Sequence, residues 1–114
     1  SRAQLEQVAQ INKAIEQEFA ASKKPVFLGG DFNARPETTT LITLKEDWKV
    51  LTPHGENDFT HSSQKPNKCI DYIMLWKGND AKCEVIGTKI MNSFRKGDIK
   101  QASDHIPVMV DVKF

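Results

Sequence analysis

The chain has 114 residues, 16 Lys and Arg against 15 Asp and Glu, and a formal net charge of +1 at pH 7. That length allows one small domain and leaves no room for two, and a composition of 39% hydrophobic and 27% charged residues excludes the disordered and fibrous classes. Near-neutral charge removes a global electrostatic argument for nucleic acid or acidic membranes, no apolar run approaches the roughly 20 residues of a membrane span, and two cysteines, Cys69 and Cys83, are too few for a disulfide scaffold.

Residues 4–19 are predicted to form an amphipathic helix, because Leu5, Val8, Ile11, Ile15 and Phe19 fall within about a third of the helical circumference. Pro25 ends it, and Val26-Phe27-Leu28, bounded by Pro25 and Gly29-Gly30, reads as a short buried strand. Pro36-Glu37 fits a helix first turn with Leu41, Ile42 and Leu44 on its apolar side, although Thr38, Thr39 and Thr40 are weak helix formers. Trp48-Lys49-Val50-Leu51 and Asp58-Phe59-Thr60 read as short strands separated by a turn. Residues 69–76 form the strongest strand signal. They are apolar on both faces apart from Asp71, so this strand is expected to be central in a covered sheet. Residues 84–91 are a weaker strand, 92–101 a polar loop with the basic stretch Arg95-Lys96-Gly97-Asp98-Ile99-Lys100, and 106–114 an alternating strand.

Three polar insertions interrupt these strands: Asp31 with Asn33, then Asp71, then Asp104-His105. An ionised carboxylate in an apolar strand must be paired or coordinated, since burying it alone is very costly. If the three insertions meet at one sheet edge, they assemble three carboxylates, an amide and an imidazole. That set suits metal-assisted hydrolysis: carboxylates hold Mg²⁺ and orient water, while histidine acts as acid, base or charge stabiliser. Asp31 and Asn33, two apart, point the same way in extended backbone. Simpler readings fit the same residues. Asp31-Phe32-Asn33 is also a turn cap, Asp71 also a structural carboxylate, and Asp104 also a cap on strand entry. His54 and His61 read as loop residues at the surface, His61 close enough to the 69–76 strand to face a substrate. Trp48 and Trp76 read as packing residues.

In order, Gly30-Asp31-Phe32-Asn33, Ile70-Asp71-Tyr72-Ile73 and Ser103-Asp104-His105-Ile106-Pro107-Val108 resemble the last three signature blocks of the endonuclease/exonuclease/phosphatase superfamily. The resemblance covers residues 25–114, and the preceding helix matches the family's helix before the GDFN strand. It implies a metal-dependent phosphoesterase in which activated water attacks a phosphodiester or phosphomonoester, with Mg²⁺ or Mn²⁺ as cofactor. Asp31 would orient or deprotonate the water, and Asn33 would hydrogen-bond a phosphoryl oxygen. His105 would contact the scissile phosphate, Asp71 would orient His105, and Asp104 would lie at the metal or leaving-group side, with Asp104 and Asp31 as metal ligands here. Cys69 stands where many relatives carry arginine, and it supplies neither the charge nor the fork of a guanidinium.

The resemblance further implies an α/β (α+β) fold, half of a four-layer α/β/β/α sandwich, with one mixed β-sheet and helices on its outer face. The family's N-terminal blocks, which carry the main metal-binding glutamate, have no counterpart in residues 1–24, where Glu6, Glu16 and Glu18 lie on the helix's polar side. Residues 1–114 are therefore expected to be the C-terminal half of the domain, catalytically incomplete alone, with Ser1 at a cut between the halves. The exposed sheet face, with Ile73 and Leu75 or Val108 and Val110, would meet the N-terminal half or a second copy. The substrate is a phosphate ester, with nucleic acid, phospholipid and sugar phosphate all compatible. The alternative is a non-catalytic module of the same fold that binds a phosphorylated ligand or a protein.

Overall fold

The computed structural model describes residues 1–92 and 103–114, so the basic stretch beginning at Arg95 lies outside the described residues. In chain order the elements are α1 (Arg2–Phe19), β1 (Phe27–Asp31), α2 (Thr39–Asp47), β2 (Trp48–Val50), β3 (Asp71–Trp76), β4 (Glu84–Ile90) and β5 (Val108–Lys113). Helix α1 starts earlier than its apolar periodicity, because Ser1 and Gln4 form a capping box. The threonines before α2 serve its start: the Thr38 hydroxyl accepts from the Leu41 amide and donates to the Arg35 carbonyl at 2.7 Å. The Thr40 hydroxyl, buried, donates to Gln4 Oε1 at 3.1 Å and so ties the two helices together.

Strand β3 is central, as its two apolar faces require, in an antiparallel sheet of order β1-β3-β2. Residues directly opposite in such a sheet share a face. Leu28, Tyr72, Met74, Trp48 and Trp76 therefore turn toward the helices, joining Val8, Leu41 and Leu44 in the core. Trp48 and Trp76 are cross-strand partners with ring centroids 5.1 Å apart, and the Trp48 indole donates to Asn12 Oδ1 at 2.7 Å. The Tyr72 hydroxyl, at full burial, lies 2.7 Å from the Ala34 carbonyl and 2.9 Å from that of Cys69. The opposite face carries Phe27, Gly29 and Asp31 beside Leu75, Ile73 and Asp71.

The α+β class stands, but the strands form two antiparallel sheets in place of one mixed sheet. Among the described residues strands β4 and β5 pair with each other alone, with an irregularity between Val85 and Gly87. Asp58-Phe59-Thr60, expected as a strand, contributes no ladder among the described residues. Isolated bridges outside the strands join His61 to Lys68 and to His105. The segment is too short to pair further, because Asp58 is already held in a turn, its carboxylate accepting from the Gly55 amide at 2.8 Å. The apolar face also differs from expectation. Leu75 is buried and Ile73, Val108 and Val110 are half-buried, while Ile86, Met109 and Phe114 are the exposed apolar side chains of the hairpin end.

Candidate active site

Asp31 ends β1 and Asp71 begins β3, and the two are register partners on the face away from the helices. Two carboxylates directly opposite across a sheet repel, and a hydrogen-bond donor set between them lessens that repulsion. His105 occupies that position. Its Nδ1 is 2.8 Å from Asp71 Oδ2, and its Nε2 is 3.6 Å from Asp31 Oδ2. The hydrogen bond to Asp71, followed by the charges of Asp71, Asp31 and Asp104, raises the His105 pKa above 6.5 against the opposing effect of partial burial.

The approach to Asp31 is shaped by its neighbours. Gly30 has φ +149°, a conformation that L side chains rarely adopt. Asn33 is left-handed at φ 49°, and its amide donates to Asp31 Oδ1 at 2.8 Å. The turn-cap reading and the site reading of Asp31 thus describe different oxygens: Oδ1 closes the turn, and Oδ2 faces His105. The Phe32 amide donates to the Ile70 carbonyl at 2.8 Å, which keeps the loop on β3.

His105 is delivered by the chain just before β5. The Ser63 amide donates to the Asp104 carbonyl at 2.7 Å, the Ser63 hydroxyl donates to the Ser103 carbonyl, and the Ser103 hydroxyl accepts from the His105 amide at 3.1 Å. The His61 ring packs on that of His105 with centroids 4.7 Å apart and has a buried Nδ1 without a hydrogen-bond partner among the described residues. His61 is therefore not the free surface residue expected from its polar surroundings. Its place follows from the bridge to His105, a tertiary contact that carries no local sequence signal. His54 stays in its turn, Nδ1 2.7 Å from the Thr52 carbonyl.

Of the residues singled out by sequence, Asp31, Asp71 and His105 come together, with donor atoms all within 4.8 Å of one another. Asn33 is exposed beside them. Asp104 is exposed next to His105 and stands outside that three-residue cluster. Among the described residues Asp31 Oδ2 makes no hydrogen bond, so a hard oxygen donor is free at the cluster. Carboxylate oxygens of this kind suit Mg²⁺ or Mn²⁺ better than softer metals. Asp71 suits a metal less well, because His105 already engages its Oδ2. Burial raises the Cys69 thiol pKa, partly offset by its contact with Tyr72, so the residue in the arginine position is a neutral buried thiol.

The family model described as endonuclease/exonuclease/phosphatase family matches residues 1–105, a span that ends on His105. The chain belongs to that family. A solved structure of mannosyl-6-phosphatase from Bacteroides thetaiotaomicron VPI-5482 is similar to this endonuclease/exonuclease/phosphatase chain, with a TM-score of 0.76 and 16% sequence identity. The match covers 100% of this chain and 47% of that one, so these 114 residues span about half the length of that structure. At that identity the likeness is one of fold. A search of curated proteins found no match.

Proposed function

We propose that this chain supplies one half of the active site of a metal-dependent phosphoesterase. The observation that carries the reading is the His105 imidazole set between Asp71 and Asp31 in a member of this family. Asp71 Oδ2 accepts a hydrogen bond from Nδ1–H and fixes the ring, so that Nε2 faces the space in front of Asp31. With a phosphate ester bound there, the ring in its doubly protonated form donates from Nε2–H to a phosphoryl oxygen and stabilises charge as it develops. Asp31 Oδ2 orients the attacking water and takes its proton. The Asn33 side-chain amide donates to a second phosphoryl oxygen. Mg²⁺ or Mn²⁺ would be held beside this cluster by carboxylates that include Asp104 and ligands from beyond these three residues, and it would neutralise the phosphate and polarise its P–O bonds.

The coverage of 47% of the similar structure supports a site completed by further residues, including the main carboxylate ligand, either from an N-terminal half or across a homodimer contact. The 114 residues alone are then inactive or nearly so. The substrate is a phosphate ester, and nuclease, phosphodiesterase and sugar-phosphate phosphatase activities all remain within the chemistry of these groups. A second reading, a non-catalytic module that binds a phosphorylated ligand or protein, is favoured by one observation: Asp71 is occupied by His105, leaving few free ligand atoms in the three-residue cluster.

The test is hydrolysis of bis(p-nitrophenyl) phosphate and p-nitrophenyl phosphate by the full-length protein with Mg²⁺ or Mn²⁺, against an EDTA control. We expect turnover that EDTA abolishes and that Asp31→Ala lowers at least about a hundredfold, the usual scale for such a group. Equal rates with EDTA, or an Asp31→Ala variant within tenfold of wild type, would sink the reading.

A further inference from the structure

Thr60 is completely buried, yet it belongs to none of the strands. Its hydroxyl oxygen accepts from the Ile70 amide at 3.1 Å and from the Asp71 amide at 3.2 Å. Its carbonyl accepts from the Ile106 amide at 2.7 Å, and its own amide donates to the Lys68 carbonyl at 3.0 Å. One residue therefore joins the backbone at Asp71 to the backbone immediately after His105.

The need for this hydroxyl comes from the sheet. Strand β2 pairs with β3 only from Trp48↔Trp76 to Val50↔Met74, and the Leu51 amide reaches the Ile73 carbonyl at 2.8 Å before the chain departs. The amides of Ile73 and Asp71 then lack a backbone partner on that edge, and an unpaired buried amide is costly. Two threonine hydroxyls take the place of the missing strand. Thr52 serves Ile73 at 3.2 Å, and Thr60 serves Asp71. Only the second carries a site residue.

We infer that Thr60 is a positioning residue for the Asp71–His105 pair: its hydroxyl holds the Asp71 backbone and its carbonyl holds the His105 segment in one register. Asp71 Oδ2 meets His105 Nδ1 at 2.8 Å because both arms are fixed to the same residue. Thr60 touches no reacting atom and acts through that pair. Its effect on rate rests on the phosphoesterase reading above, whereas its effect on the His105 ring does not.

The test compares Thr60→Val, Thr60→Ser and Thr52→Val in the full-length protein, by rate on bis(p-nitrophenyl) phosphate and by the nitrogen chemical shifts of the His105 ring at a pH where it is neutral. Valine keeps the shape and removes the acceptor. We expect Thr60→Val to lower kcat about ten- to a hundredfold with KM little changed, the scale of a small misplacement of catalytic groups. Its His105 ring should pass from a single Nδ1–H form to averaged tautomers. Thr60→Ser should restore both readouts, and Thr52→Val, matched for hydroxyl loss, should leave both at wild type. The proposal is overturned by a Thr60→Val protein with wild-type rate and ring shifts, by a serine variant as impaired as valine, or by equal impairment in Thr52→Val. If the valine protein does not fold, amide exchange in wild type decides. The Asp71 amide should be protected as strongly as that of Met74, and exchange at the unfolded-chain rate would overturn the proposal. Should Asp31→Ala retain full activity, the phosphoesterase reading fails while the ring shifts still judge Thr60.

Discussion

The β1-β3-β2 sheet and the β4-β5 hairpin are built in opposite ways. The first is covered by α1 and α2, with Trp48, Tyr72, Met74, Leu41 and Leu44 at 0–1% exposure between them. The hairpin alternates half-buried and exposed residues throughout β5 and over the first part of β4, and Met109 and Ile86 face outward at 43% and 60% exposure. Yet both contribute to one site. The helix-backed sheet holds the two carboxylates by register, whereas His105 arrives just before β5, in the connection between β4 and β5. What makes that segment exact is a short set of hydrogen bonds to Thr60 and Ser63, with Ile106 buried beneath them. A site of this kind can be loosened without unfolding the sheet that carries its acids.

That contrast can be broken most strongly in the sheet. Trp48→Ala removes a fully buried indole and its bond to Asn12, and should destabilise the chain by about 3–5 kcal/mol in urea unfolding. A loss under 1 kcal/mol would mean that the sheet is not the stable half. Ile106→Ala, just before β5, should cost about 2–4 kcal/mol and also broaden the His105 ring signals, which a change in the sheet core should not do.

The charge on His105 gives a smaller and pH-dependent effect. Its pKa is raised in the folded state, so folding binds its proton more tightly than unfolding does. The resulting stability is fully present below the ordinary histidine value near 6.5 and is lost as pH rises through the raised folded value. Asp71→Asn removes the main cause of the shift. The stability gap between wild type and this variant should be larger at pH 5.5 than at pH 9, and His105 should titrate lower in the variant by NMR. An unchanged titration would detach Asp71 from the histidine. Smallest of all, Met109→Lys on the open hairpin face should alter the stability of the 114-residue chain by no more than about 0.5 kcal/mol.

Much of the site was legible from residue type and position. Carboxylates placed inside apolar strands must meet a partner, and Asp31 and Asp71 met the same one. Helix α1 and strand β3 were legible from period and apolar faces. Features set by distant pairing were not. The separation into two sheets depends on where β2 leaves β3, and no local pattern around Val50 marks that point. Thr60 read as the end of a strand, because a buried threonine that replaces a backbone acceptor looks in sequence like any β-branched strand residue. His61 read as a loop residue, since its packing on His105 joins positions 44 apart in the chain. Asp104 and His105 are adjacent, yet only the histidine enters the cluster.

The central claim is that His105, oriented by Asp71, acts on a phosphate ester in front of Asp31. Its most direct measurement is the metal-dependent turnover of bis(p-nitrophenyl) phosphate by full-length His105→Ala against wild type. The account predicts a fall of at least about a hundredfold, with the fold retained by circular dichroism. A folded variant that keeps more than a tenth of wild-type turnover would contradict it.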